Sequence, residues 1–140
     1  MIKSPFKVLS TLFLLIWLHA CDISGDEFSY RFVTLPVTEV AMPESFDLGQ
    51  TYEIDVTVLL PNGCTQFEGF DVISEGRTIR RVVPIGTEQD GVACTQEVSE
   101  VESSFRFTCI YTQTYVFRFW TGEGENGQGS YLEMEVPVNP

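Results

Sequence analysis

Between residues 51 and 60 every second side chain is apolar: Tyr52, Ile54, Val56, Val58 and Leu60 share one parity, while Glu53, Asp55 and Thr57 share the other. A period of two is the pattern of a half-buried β-strand, because successive side chains leave opposite faces of the sheet. Pro61-Asn62-Gly63 then supplies turn chemistry, proline fixing its own φ and glycine tolerating a positive one. Runs of the same kind recur at 28–33, 66–73, 77–85, 95–110, 114–121 and 131–138. In the last of these, Leu132, Met134, Val136 and Val138 alternate with Glu133 and Glu135. The spacing predicts seven to eight strands, separated by turn signals at Glu75-Gly76, Asp90-Gly91 and the glycine-rich stretch 122–129. No helical period competes with this alternation in 28–140, and without helices to cover a parallel sheet the expected architecture is an all-β antiparallel sandwich.

One stretch sharpens that expectation. Gln113-Thr114-Tyr115-Val116-Phe117 resembles the tyrosine corner of immunoglobulin-like domains, in which a tyrosine closes the loop entering the penultimate strand. Phe117 then stands where antibody domains place a cysteine. The alternative is that Tyr115 is simply an aromatic in a strand.

The first twenty residues have a different pattern. Lys3 and Lys7 precede an apolar run at 8–18, the charged-then-hydrophobic order of a signal peptide and too short to span a bilayer comfortably. Leu18-His19-Ala20-Cys21 resembles the lipobox of bacterial lipoproteins, with His19 in place of the usual small residue. The resemblance implies cleavage before Cys21 and acyl chains on its thiol, an anchor that gains roughly 0.8 kcal/mol per buried methylene. Residues 21–27 become a short acidic tether and 28–140 the folded domain. Acidic residues just after the cysteine look like surface-export signals of Bacteroidota lipoproteins, whereas in enterobacteria an aspartate there implies inner-membrane retention.

Charge matters most after cleavage. Both lysines leave with the signal, so the mature chain carries six arginines against twenty acids, and 6 − 20 gives −14. Nucleic acid is a poor partner for such a chain, since binding a polyanion requires phosphate neutralisation. His19, the chain's one histidine, leaves as well. That removes Ser-His-Asp and Cys-His catalysis, HExxH chemistry and histidine-ligated metals, so neither a catalytic residue nor a metal or other cofactor is assigned.

With Cys21 taken by lipid, Cys64, Cys94 and Cys109 remain in an oxidising compartment. Cys64 and Cys94 are the expected disulfide, both lying in turn-flanking sequence at strand starts, with roughly 3 kcal/mol of stabilisation in the chain-entropy model. Cys109 is in phase with Phe105 and Phe107 and reads as an inert core thiol. The basic cluster Arg77, Arg80 and Arg81 is expected to pair internally with acids. Trp120, Arg118 and Tyr131 are the candidate binding surface, an aromatic platform for a sugar or a peptide, with a buried Trp120 as the alternative. Glu123, Glu125, Glu133 and Glu135 are close in sequence, but so many acids make such pairs inevitable, and a solvated face explains them better than glycosidase chemistry.

Together the lipobox, Asn62-Gly63-Cys64, Ala93-Cys94-Thr95-Gln96 and the strand Tyr115-Val116-Phe117-Arg118-Phe119-Trp120 look like small lipoproteins of the Bacteroidota with immunoglobulin-like domains. The resemblance implies a fold and a location and transfers no active site. The expected function is a non-enzymatic envelope module, bound to the membrane through lipid, with a protein or polysaccharide partner. An inhibitor or accessory subunit of a secreted enzyme, using loop 122–129 as a wedge, is the alternative, and a carboxylate-dependent glycosidase a third.

Overall fold

The computed structural model describes residues 29–140, so the expected signal peptide at 1–20 and the expected lipid-anchor residue Cys21 lie outside the described residues. The described chain is all-β, built from β1 (Tyr30–Thr34), β2 (Val37–Ala41), β3 (Phe46–Asp47), β4 (Thr51–Leu60), β5 (Thr65–Ser74), β6 (Ile79–Gln89), β7 (Ser99–Thr108), β8 (Tyr115–Glu123), β9 (Gly129–Val136) and β10 (Val138–Asn139). A three-stranded sheet runs β2-β4-β7, a five-stranded sheet contains β1, β5, β6, β8 and β9, and β3 and β10 form a two-stranded ribbon. That is more elements than the seven to eight strands expected. The extra ones are short: β2 follows Pro36 and carries a bulge between Val37 and Glu39, and β3 and β10 have two residues each.

The alternation at 51–60 becomes β4 with the same bounds. Ile54, Val56 and Val58 are fully buried, and the strand pairs along its whole length with β7, from Thr51↔Thr108 to Leu60↔Ser99. The expected strand at 95–110 begins only at Ser99, because residues just after Cys94 are held elsewhere: the Gly63 N–H donates to the Thr95 carbonyl at 3.0 Å. β6 starts two residues later than the expected 77–85 and runs four further.

The pairing is not wholly antiparallel. β6 and β8 run parallel, Ile79↔Val116 to Val82↔Phe119, and so do β3 and β10. The cause is the route of the chain. β7, which lies between β6 and β8 in sequence, belongs to the opposite sheet, so the chain crosses the sandwich twice and returns beside β6 in the original direction. One edge of β6 is paired with β5, and the other is shared by β8 at Ile79–Val82 and β1 at Ile85–Gln89. Pro84 sits at the changeover. Its carbonyl accepts the Leu35 N–H at 2.9 Å, and since a strand residue directs N–H and C=O to one edge, its missing N–H falls where neither neighbour needs it.

The interior is aromatic. Phe107 lies 5.1 Å from Phe117 and 4.9 Å from Tyr115, both edge to face, and 5.0 Å from Phe46. Phe46, Tyr115, Phe117 and Phe119 are all fully buried. Tyr115 also carries polar work: its hydroxyl oxygen accepts the N–H groups of Ile110 and Tyr111 at 3.2 and 3.1 Å, fixing the turn that leads into β8. Gly86 is where the five-stranded sheet is thinnest, since a Cβ there would lie 2.6 Å from the Gln66 carbonyl oxygen and 2.7 Å from Leu35 Cδ1.

Tyr115→Phe keeps the ring and strands two backbone N–H donors, so it is expected to lower unfolding free energy by about 1–3 kcal/mol. Gly86→Ala overpacks the Leu35 contact at a similar cost of about 1–3 kcal/mol. Urea denaturation measures both, and a Tyr115→Phe midpoint equal to wild type would remove the turn-closing role.

Candidate binding surface

Which side chains leave the sandwich follows from which enter it. Tyr115, Phe117 and Phe119 of β8 point into the core, so Val116, Arg118 and Trp120 occupy the outer face of the five-stranded sheet. β9 pairs antiparallel with β8, setting Tyr131 opposite Trp120 and Glu133 opposite Arg118. The three candidate residues Trp120, Arg118 and Tyr131 therefore lie together, all half-buried. The Arg118 guanidinium carbon is 4.8 Å from the Tyr131 ring centroid, a cation–π geometry. Gly129 leaves room for the pair: a Cβ there would meet the Tyr131 ring at 3.1 Å and Trp120 Nε1 at 3.4 Å.

Charges at the centre of this face are mutually paired. Arg118 Nε donates to Glu133 at 2.8 Å and its NH1 to Glu75 at 3.1 Å, and Arg81 Nε lies 2.9 Å from the other oxygen of Glu75. That Arg81 N–H does not aim at the carboxylate and has no hydrogen-bond acceptor, so the contact is an ion pair only. The Tyr131 hydroxyl first, and then Glu75, raise the Arg81 pKa above its ordinary value against the effect of burial. The other two arginines of the cluster depart from the expected charge pairing. Arg80 NH1 donates to the carbonyls of Gly76, Arg77 and Ile79 at 3.0–3.2 Å, and its guanidinium lies 5.4 Å from the Tyr115 ring centroid; Arg77 lies over Tyr111 at 5.6 Å. Arg80 closes the turn at 76–79 and Arg77 covers Tyr111 beside it, and neither has an ion-pair partner among the described residues.

Farther along the same face is a residue the sequence pattern did not single out. Phe32 of β1 is paired with Thr87 of β6 and is 81% exposed. Tyr30, on the same parity, is 56% exposed. Their neighbour Val33 points inward against the core. The run 28–33 read as a strand with aromatics at alternate positions, and the only clue to an outward Phe32 was that Val33 and Leu35 already satisfied the inward parity.

The opposite face of the molecule has a different character. Glu39, Ala41, Asp55, Thr57 and Glu102 line a solvent-open depression of about 140 Å³ on the three-stranded sheet, and these acids have no ion-pair partner among the described residues. No group of three acids or cysteines among the described residues is arranged to hold a metal ion. Glu133 is tied to Arg118, while Glu123, Glu125 and Glu135 are exposed. The loop at 124–128 folds back on itself through Gly124 N–H to the Gln128 carbonyl at 2.7 Å and Gly127 N–H to the Gly124 carbonyl at 2.9 Å.

Cys64 and Cys94 form the expected disulfide, with Cα atoms 5.3 Å apart and a sequence separation of 30. It lies at the end of the sandwich where β1 begins: the Gln89 N–H donates to the Cys64 carbonyl, and the Asp90 N–H to that of Ser29. Cys109 is a free, fully buried thiol just beyond β7. Burial raises its pKa, opposed by the Tyr111 carbonyl that the thiol contacts at 3.5 Å. Comparison with protein families, curated proteins and solved structures gave no match.

A raised thiol pKa leaves little thiolate at neutral pH. Iodoacetamide is expected to leave Cys109 unmodified in the native protein at pH 7.5, to modify it alone on unfolding without reductant, and to reach Cys64 and Cys94 only after reduction. Mass spectrometry of tryptic peptides reads this directly. Fast native labelling of Cys109 would contradict its burial. Replacing Cys64 and Cys94 by serine is expected to cost about 2–4 kcal/mol in urea denaturation.

Proposed function

We propose that this chain is a lipoprotein of the bacterial cell envelope whose β-sandwich works as a non-enzymatic binding module. The observation that carries the binding reading is the outer face of the five-stranded sheet, where Phe32 stands almost free of protein contact on the same surface as Trp120 and Tyr131. A folded domain gains nothing in stability from an aromatic ring left in water, so such a ring on the outer face of edge strand β1 points to a partner. The anchor reading rests on the order Lys3, Lys7, apolar run, Leu18-His19-Ala20-Cys21, with the acids after Cys21 favouring the outer membrane.

An immunoglobulin-like topology is part of the same proposal. It is supported by the Tyr115 hydroxyl holding two upstream N–H groups and by the grouping β2-β4-β7, which matches strands A, B and E. The parallel β6–β8 pairing departs from that plan, since the strand next to β8 would then be β5. As for the alternatives, loop 124–128 is closed into a tight turn and offers no extended wedge for an inhibitor. The four glutamates weighed for glycosidase chemistry are exposed, and none of them lines the depression at Glu39, Asp55 and Glu102.

Protein purified from its native membrane is expected to have the mass of the chain from Cys21 onward plus acyl chains. Cys21→Ser is expected to move it from the membrane to the soluble fraction. An unlipidated mass, with wild type and variant both soluble, would refute the anchor. For the binding face, a photoreactive phenylalanine analogue at position 32 is expected to cross-link an envelope macromolecule in living cells. The same analogue at Leu48, an exposed residue beyond the five-stranded sheet, is expected to capture nothing.

A further inference from the structure

Resting on the binding-module reading, we propose that the outer face of the five-stranded sheet is a platform for an uncharged polysaccharide, with Phe32 and Trp120 as its two stacking positions. Three observations lead to this ligand class. The first is placement. β8 and β1 occupy the same edge of β6 one after the other, Phe119 level with Val82 and Phe32 level with Thr87. Trp120 and Phe32 thus follow each other along one line, separated by about four strand residues or roughly 13 Å. A single sugar ring or a compact metabolite does not reach both; an extended polymer does. Between them on β6 lie Val83 and Ile85, both half-buried.

The second observation is charge. The mature chain carries −14 and repels polyanions, which sets acidic polysaccharides aside with nucleic acids. At the centre of this face Arg81, Arg118, Glu75 and Glu133 cancel one another in a single chain of ion pairs, and the acids left over, Glu68 and Asp71 on β5 and Glu135 on β9, lie on the outermost strands. A basic partner would find unpaired acids gathered around one depression on the other sheet, at Glu39, Asp55 and Glu102. What suits a face whose central charges are paired and whose unpaired acids lie at its margins is a ligand without charge.

The third is chemistry. A pyranose has an apolar C–H face and a rim of hydroxyl groups, so it needs a flat ring beneath it and polar groups fixed at the side. Phe32 and Tyr30 offer rings in water, Trp120 and Tyr131 offer ring, indole N–H and hydroxyl, and the Glu75–Arg118–Glu133 pairs hold their polar atoms in place before any ligand arrives. Groups fixed in advance lose little freedom on binding.

Native affinity electrophoresis of the full chain in detergent, in gels cast with amylopectin, xyloglucan, laminarin or galactomannan and with polygalacturonate as the charged control, tests the proposal. The expected result is retardation by at least one neutral glycan and none by polygalacturonate. Phe32→Ala, a change at a site too exposed to unfold the domain, is expected to weaken that binding about tenfold, the order of one interface hot spot. Trp120→Phe, which keeps a ring but loses the indole N–H, is expected to weaken it less, and Leu48→Ser not at all. Retardation by no neutral glycan, equal retardation of wild type and Phe32→Ala, or retardation by polygalacturonate each overturns the proposal. So does a concentration-dependent dimer in sedimentation velocity that Phe32→Ala dissociates, which would give the face to a second copy of the chain. A polypeptide cross-linked at position 32 together with failure in every gel refutes the glycan and leaves the binding module standing; no cross-link and no retardation removes both.

Discussion

Everything in this fold is arranged around a cluster of aromatic rings that two sheets must share. Phe107 of β7 meets Phe117 and Tyr115 of β8 edge to face, and Phe46 closes over all three from the small β3–β10 ribbon. Aromatic pairs in this geometry contribute beyond the area they bury, and in a domain of this size they supply much of the inward-facing bulk. The short ribbon makes sense on this account. Two residues of β3 would not form a strand for their own sake, but the Phe46 N–H donates to the Pro137 carbonyl and Asn139 binds Asp47 and Ser45, so the end of the chain holds Phe46 down on the cluster.

The same cluster decides what the surface looks like. With Tyr115, Phe117 and Phe119 committed inward, a strand has no choice but to send Arg118 and Trp120 outward. Pairing with β9 then sets Tyr131 and Glu133 beside them. Likewise Val33 and Leu35 pack against the core and Phe32 is left in water. The outer face is thus a consequence of core parity as to position. Its residue types are not: at 30 and 32, where the rings lie mostly in water, the fold would be served equally by threonine or serine, and aromatic side chains there are what folding alone does not account for.

How far the chain could be read without coordinates depended on whether a signal was local. The alternation at 51–60 produced β4 residue for residue, because both its faces were written in one decade of sequence. The Cys64–Cys94 bond was legible from turn context and from the compartment the signal segment implies, and the burial of Cys109 from its phase with Phe107. β2 and β3 were not legible: a bulge at Val37/Glu39 breaks the period in one, and the other exists only through its long-range partner β10. The parallel β6–β8 pairing was hidden for the same reason, since it depends on β7 crossing to the other sheet. At the candidate surface, Trp120, Arg118 and Tyr131 were grouped from the sequence and are neighbours in space. Phe32 was missed because it joins them only through β6, which β1 and β8 both border.

A flat face with two or three rings cannot hold any ligand tightly by itself. Each ring contributes on the order of a kcal/mol beyond what it gives up in ordering, and without a cleft there is little further area to bury. On the proposed reading this weakness is compensated by the anchor. Lipid on Cys21 would confine many copies to one membrane plane with their tethers only a few residues long, and a polymer presents the same epitope repeatedly. Once one copy engages, its neighbours meet the polymer at an effective concentration set by the tether and not by the bulk, so avidity can exceed the affinity of a single face by orders of magnitude. The acidic surface elsewhere favours this arrangement, because copies of net charge −14 repel one another and stay dispersed. A shallow binding face, a short tether and a strongly acidic body are then parts of one design, and a deep pocket would add little to it.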